Sequence, residues 1–292
     1  MENKRALFGP AGSDEEFSAS GKKTTADAPG WYADYGLDCY EYQGGRGLRS
    51  PDSAYIAVGK AAKAAGIKLS VHAPYFISLS GIETETRLKS IDYIKTSVHA
   101  AELMGADTIV IHTGSASKIT RSEAMELAAD TLIKTLEEVG NTEVRLGLET
   151  MGKINQLGTL DEVLTLCKID PRLCPVVDFG HLNARGLGGV FPDEDSYSKV
   201  FSRIADVLGA GYAENLHCHF SRIQYTNSGE KCHLTFDGDT EGWGPDSLPL
   251  MNVIAREGLA PRIICESAGT QGRDALTMKK QYLAAAAALK TE

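Results

Sequence analysis

Eight side chains of the kinds that bind divalent metal ions lie in or just after short apolar runs. They are His72 in SVHAPY, His112 in IVIHTG, Glu149 in RLGLET, Asp178 and His181 in PVVDFGH, His217 and His219 in ENLHCHF, and Glu266 in RIICES. Imidazole and carboxylate suit hard and borderline metals, and an open site takes them from several strands at once. A lone histidine at a strand end is more often satisfied by an ordinary hydrogen bond. Six successive segments that each end this way point to a multinuclear metal site. A carboxylate placed directly after Leu146 and Leu148 would be costly to bury unpaired. A cation is its simplest partner, with an arginine as the competitor. Asp178 and His181, three apart, can reach different ions. His217 and His219 alternate along one strand and share a face, so one is expected to be a ligand, His217 slightly favoured, and the other to bond a carboxylate. His233 follows in GEKCHLTF, whereas His99 falls inside a helical pattern and reads as structural. No GxSxG elbow or P-loop is present, and QGGRG at residues 43–47 lacks dinucleotide-binding spacing.

These side chains need elements that bring six strand ends together. Strand-like runs fall at Ala6–Phe8, Asp38–Tyr42, Lys68–Val71, Thr108–Ile111, Val144–Leu148, Pro175–Val177, Asn215–Phe220 and Arg262–Cys265. Helical periodicity occupies Pro51–Ala65, Glu83–Met104, Arg121–Val139, Leu160–Cys167 and Asp274–Leu289, with Gly66 and Gly105 as stops. Strands alternating with helices imply parallel pairing through right-handed crossovers. Eight of them close into an α/β (β/α)8 barrel, whose reactive groups gather at the C-terminal ends of the strands. That is where the candidate ligands fall. Residues Gln224–Pro249, rich in glycine (Gly229, Gly238, Gly242, Gly244), read as an irregular loop over the site.

The 292 residues fit one barrel domain over 1–292, with 42% apolar and 24% charged residues as in an ordinary globular chain. No apolar run approaches the roughly 20 residues of a membrane helix, and MENKRALFGPAG has no apolar core of a signal peptide. Six cysteines without a CxxC pair favour reduced thiols and a cytoplasmic location. A net charge of −9 argues against a broadly basic nucleic-acid surface. A local groove remains open, because bound ions add positive charge that the count omits.

His72-Ala-Pro-Tyr75, Ile111-His112-Thr-Gly, Leu148-Glu149-Thr, Asp178-Phe-Gly-His181, the His217/His219 strand, His233 and Cys265-Glu266 follow one another as in endonuclease IV. The chain resembles that apurinic/apyrimidinic endonuclease branch of the xylose-isomerase-like barrels from about residue 5 to 285. The resemblance implies a site of two or three zinc ions, with manganese as a substitute. His72 and His112 would hold one ion, and Glu149 would bridge it to a second. Asp178, one of His217/His219, and Glu266 would complete the second; His181 and His233 would hold a third. The family places an Asp two residues before the last histidine; here that position is Lys231, with Glu230 beside it as a substitute. Tyr75 and Phe76 resemble the residues pushed into DNA, and Arg46 or Arg49 a DNA-contacting arginine. The implied activity is incision of DNA 5′ to abasic sites by a monomeric enzyme. Adjacent metal ions suit that chemistry, since they clamp the attacking and leaving oxygens of a phosphate displacement. The rival is a sugar isomerase or epimerase on the same barrel, which would rely more on carboxylates and fewer ions. Lys231 and the acidic charge favour that rival.

Overall fold

The computed structural model describes residues 5–237 and 242–290. The chain opens with β1 (Leu7–Pro10), α1 (Glu15–Ala19), α2 (Ala28–Asp34), β2 (Cys39–Gln43), α3 (Asp52–Ala65) and β3 (Lys68–His72). It continues through α4 (Thr84–Met104), β4 (Thr108–His112), α5 (Arg121–Val139), β5 (Arg145–Glu149), α6 (Leu160–Cys167) and β6 (Leu173–Asp178). Next come α7 (Phe179–Arg185), α8 (Glu194–Leu208), α9 (Ala210–Glu214), β7 (His217–Phe220), and a hairpin of β8 (Arg222–Thr226) and β9 (Gly229–Leu234). α10 (Ser247–Arg256), β10 (Arg262–Cys265) and α11 (Gln271–Ala288) end it.

Eight strands pair in parallel in the order β1-β10-β7-β6-β5-β4-β3-β2. The edges meet where Asp38 N–H donates to Phe8 O at 2.8 Å and Gly12 N–H donates to Glu41 O at 2.9 Å. A side chain at Gly9 would place its Cβ 1.8 Å from Cys39 O, so only glycine lets β1 and β2 approach this closely. With helices between its strands, this is the (β/α)8 barrel expected from the alternation. Every expected strand is present, with boundaries shifted by one or two residues.

Alternation along each strand decides what faces which way. Leu69 and Val71 of β3, Ile109 and Ile111 of β4, and Leu146 and Leu148 of β5 join the large apolar core between barrel and helices. The intervening positions end in His72, His112 and Glu149. Helices supply the other wall of that core. On α5 the buried Ala124, Ala128, Leu132 and Leu136 recur every four residues behind a Thr120/Glu123 capping box. Inside the barrel, Ala11, Cys39 and Ile264 form a small apolar cluster with Leu7 against it, and Val110 and Val176 are buried at inward positions. Buried polar groups occupy much of the rest: Glu41, Ser70, His217 and His219.

One expectation is corrected. Residues Gln224–Pro249 are not simply an irregular loop: they contain most of the β8–β9 hairpin and the first turn of α10. Polar strands such as RIQYT and GEKCHL hide the apolar alternation that would have marked them. Gly238 of that segment lies outside the described residues. His181 sits in the first turn of α7, which Asp178 caps, its carboxylate accepting from His181 N–H at 2.7 Å.

Candidate metal centre at the barrel mouth

Glu149 ends β5 at the centre of the site, fully buried. Its Oε2 lies 3.2 Å from His112 Nε2 and 3.5 Å from His72 Nε2. Its Oε1 lies 3.1 Å from His219 Nδ1 and 3.4 Å from His181 Nδ1. One carboxylate therefore faces two different donor groups with its two oxygens. His72, His112 and Glu149 form the first group, and Glu149, Asp178, His219 and Glu266 the second. His181, Glu230 and His233 form a third. Within each, one donor atom per residue lies within 4.8 Å of the others.

The imidazoles are oriented before any ion arrives. His72 Nδ1–H donates to Ala73 O at 2.8 Å, which turns Nε2 toward Glu149. His181 Nδ1–H donates to Thr150 O at 2.9 Å and turns Nε2 to Glu230, 3.4 Å away. His233 Nδ1 pairs with Ser221 Oγ at 2.8 Å, leaving Nε2 4.0 Å from Glu230 Oε1. Second bonds of this kind fix tautomer and ring orientation at metal sites.

The third group explains the misplaced lysine. Simple alternation would put residue 231 on the face of His233. In the hairpin, however, Gln224 pairs with Cys232 and Tyr225 with Glu230, so Lys231 is the extra residue of a bulge. The bulge reverses the parity: Lys231 points to solvent, and Glu230 joins His233 against His181.

The structure sorts the remaining candidates. His219, not the slightly favoured His217, faces Glu149 and Glu266, the latter at 3.4 Å. His217 bonds a carboxylate, Glu41, at 3.0 Å. Glu41 was missed by reasoning from the sequence. A charged residue at an inward position of the otherwise aromatic run CYEYQ was the available signal. His99 lies on exposed α4 near Asp52 and apart from the site.

Electrostatics mark the cluster as built around positive charge. Burial alone would raise Glu149, yet His219, His112 and His181 hold it well below the ordinary carboxylate value. Glu266 is held at about 2, His219 outweighing its burial. Asp178 goes the other way, to about 6: burial raises it, Glu266 and Glu149 add repulsion, and His181 only partly compensates. Asp178 Oδ2 and Glu149 Oε2 are buried without a hydrogen-bond partner. Orphaned carboxylate oxygens facing a mixed imidazole–carboxylate set fit divalent ions, which supply the missing partner. The residues present can hold metal ions in three adjoining positions.

Above the ligands opens a cavity of about 830 Å³. Tyr75 forms part of its wall, half-exposed, its ring 5.0 Å from that of His72 and 5.4 Å from that of His112. Its hydroxyl donates to Gln43 Oε1 at 3.2 Å. Phe76, also half-exposed, rests on Tyr93. Arg46 and Lys153 bring positive charge to the rim; Arg49 is not among the lining residues. Arg185 holds the loop that carries Lys153 through the carbonyls of Met151, Lys153, Ile154 and Gln156.

This barrel, with candidate metal ligands on its strand ends, is that of a known group. The chain belongs to the xylose isomerase-like TIM barrel family, whose model matches residues 30–291. It is 31% identical over 218 residues to an uncharacterized protein, MJ0133, of Methanocaldococcus jannaschii, covering 74% of this chain and 77% of that one. It is 30% identical over 168 residues to a probable endonuclease 4 of Acholeplasma laidlawii, spanning 55% of this chain and 56% of that protein. Among solved structures, endonuclease IV from Thermus thermophilus superposes with a TM-score of 0.67 at 18% identity, covering 96% of this chain and 98% of that one. A D-tagatose 3-epimerase-like protein superposes with a TM-score of 0.69, also at 18% identity, over 96% and 98%. These structural likenesses speak for the fold alone.

Proposed function

We propose that the protein is a zinc-dependent phosphodiesterase that incises DNA on the 5′ side of abasic sites. The observation that carries this reading is the third donor group. His181, Glu230 and His233 add a position beside the pair bridged by Glu149, and moving a proton on a sugar calls for no such array. The sequence likeness to a probable endonuclease 4 adds support, although the match spans about half of that relative.

In this reading His72, His112 and Glu149 hold one ion, and Glu149, Asp178, His219 and Glu266 the second. His181, Glu230 and His233 hold the third. When bound, neighbouring divalent ions stabilise charge on the attacking and leaving oxygens of a phosphate. The chain's own groups bind and orient the DNA. Arg46 and Lys153 meet backbone phosphates at the rim. Tyr75 and Phe76 wedge into the stack, which costs least where the base is already missing. With a net charge of −9, few phosphates are contacted, so affinity falls with salt on a shallow slope.

The test is a gel assay on an abasic duplex beside an intact one, with zinc or manganese added. Incision of the abasic strand alone, leaving a 3′-hydroxyl, is expected. No incision with either metal, together with turnover of a free ketose, would replace this reading with the epimerase one.

A further inference from the structure

Glu41 is the least expected residue in the barrel. It is fully buried on β2, in an interior that such barrels ordinarily fill with branched apolar side chains. An ionised carboxylate there costs several kcal/mol unless donors compensate it. Three do. Ser70 Oγ, on the paired position of β3, donates to Oε2 at 2.9 Å. His217 Nε2 lies 3.0 Å from the same oxygen. His219 Nε2 lies 3.1 Å from Oε1 and 3.3 Å from Oε2.

The contact with His219 ties Glu41 to the metal centre. An imidazole has two nitrogens, and a neutral ring carries its proton on only one. The Nδ1 of His219 faces Glu149 and Glu266; its Nε2 faces Glu41. At His72 and His181 the nitrogen turned away from the ligand group donates to a backbone carbonyl. His219 has a carboxylate in that place, and a carboxylate accepts a proton-bearing nitrogen but offers none in return.

We propose that Glu41 is a positioning residue that holds His219 in its Nε2–H tautomer, so that Nδ1 presents its lone pair to the ion shared by Glu149, Asp178 and Glu266. His217 and Ser70 in turn fix Glu41 through its Oε2. The negative charge also strengthens His219 as a donor, which a carbonyl does less well. This assignment rests on the metal-centre reading above. It accounts for two features that reading leaves idle: His217, which contacts Glu41 rather than Glu149, and a charged residue in the barrel interior.

Two measurements test it. Two-bond 1H–15N spectra of histidine-labelled, zinc-loaded wild-type protein report which nitrogen of His219 carries the proton; Nε2 is expected. Cobalt titration, read by visible absorption with a competing chelator, reports each ion in turn. Glu41→Gln is expected to weaken one ion by roughly 10–100-fold and leave the ion at His72 and His112 within about threefold. Ser70→Ala is expected to weaken the same ion by a smaller factor.

A wild-type His219 protonated at Nδ1 would overturn the assignment, whatever Glu41→Gln does to folding. So would a Glu41→Gln protein that binds every ion as the wild type does. A further ion lost in His217→Ala alone would also overturn it, making Glu41 a ligand in its own right. A wild-type chain that takes up no ion at all would instead remove the metal centre, and this role with it.

Discussion

Replacing Glu149 by Gln tests the centre of the site, because its two oxygens face different partners. Oε2 addresses His72 and His112, and Oε1 addresses His219. The amide keeps one acceptor and turns an NH2 toward the other group. In either orientation one ion loses an oxygen ligand, and both lose the shared charge. The amide keeps the volume of the side chain and one acceptor for the imidazoles around it, so the metal-free fold should survive. Removing one member of a buried charge arrangement costs about 3–5 kcal/mol. At 1.4 kcal/mol per decade, that weakens the affected ion by roughly 10²–10³-fold. The assay is a metal count by emission spectroscopy after gel filtration, followed by zinc competition against a chelator. The expected result is at least one ion fewer per chain and loss of phosphodiesterase activity, with an unchanged far-ultraviolet spectrum. A Glu149→Gln protein that retains the wild-type count and affinity would refute the bridging role.

Three further outcomes follow from particular contacts. Glu230→Gln should weaken a single ion by about 10–100-fold, whereas Lys231→Ala should leave every ion in place; the reverse pattern would show that the bulge does not set which residue binds. Tyr75→Ala should slow incision of an abasic duplex by roughly 10–100-fold, if the wedge contributes a few kcal/mol, while hydrolysis of a small phosphodiester changes by less than about threefold; equal losses on both substrates would count against a wedge. Glu162 accepts from Arg121 at 2.6 and 2.7 Å and from two backbone amides. Against the raising effect of burial, Arg121 and those amides lower it from 4.5 to about 2. The folded value is depressed, so the stabilisation is present above pH 4.5 and fades as pH falls toward 2. The shift corresponds to roughly 3 kcal/mol, and the exposure of Arg121, 40%, reduces that to about 1–2 kcal/mol. Urea unfolding should show Glu162→Gln less stable by that amount at pH 7 and nearly equal near pH 2; a gap that persists in acid would mean a packing defect instead.

The alternation of strands and helices, and the candidate ligands at or near the ends of six strands, could be read from the chain because both depend on neighbours in sequence. Leu146, Leu148 and Glu149 declare an outward apolar face and a polar terminus by spacing alone. His72 after Val71 and His112 after Ile111 do the same. Three assignments needed the closed barrel. His217 and His219 share a face, and only the distances across the barrel separate the one that reaches Glu149 from the one that reaches Glu41 but not Glu149. Glu41 becomes exceptional because the closed barrel brings β2 within reach of His217 and His219 on β7. Lys231 stands where the family resemblance calls for an acid, and a one-residue bulge against β8 hands that place to Glu230. Periodicity is a local property of the backbone, whereas pairing register and cross-barrel contact arise only when distant segments meet.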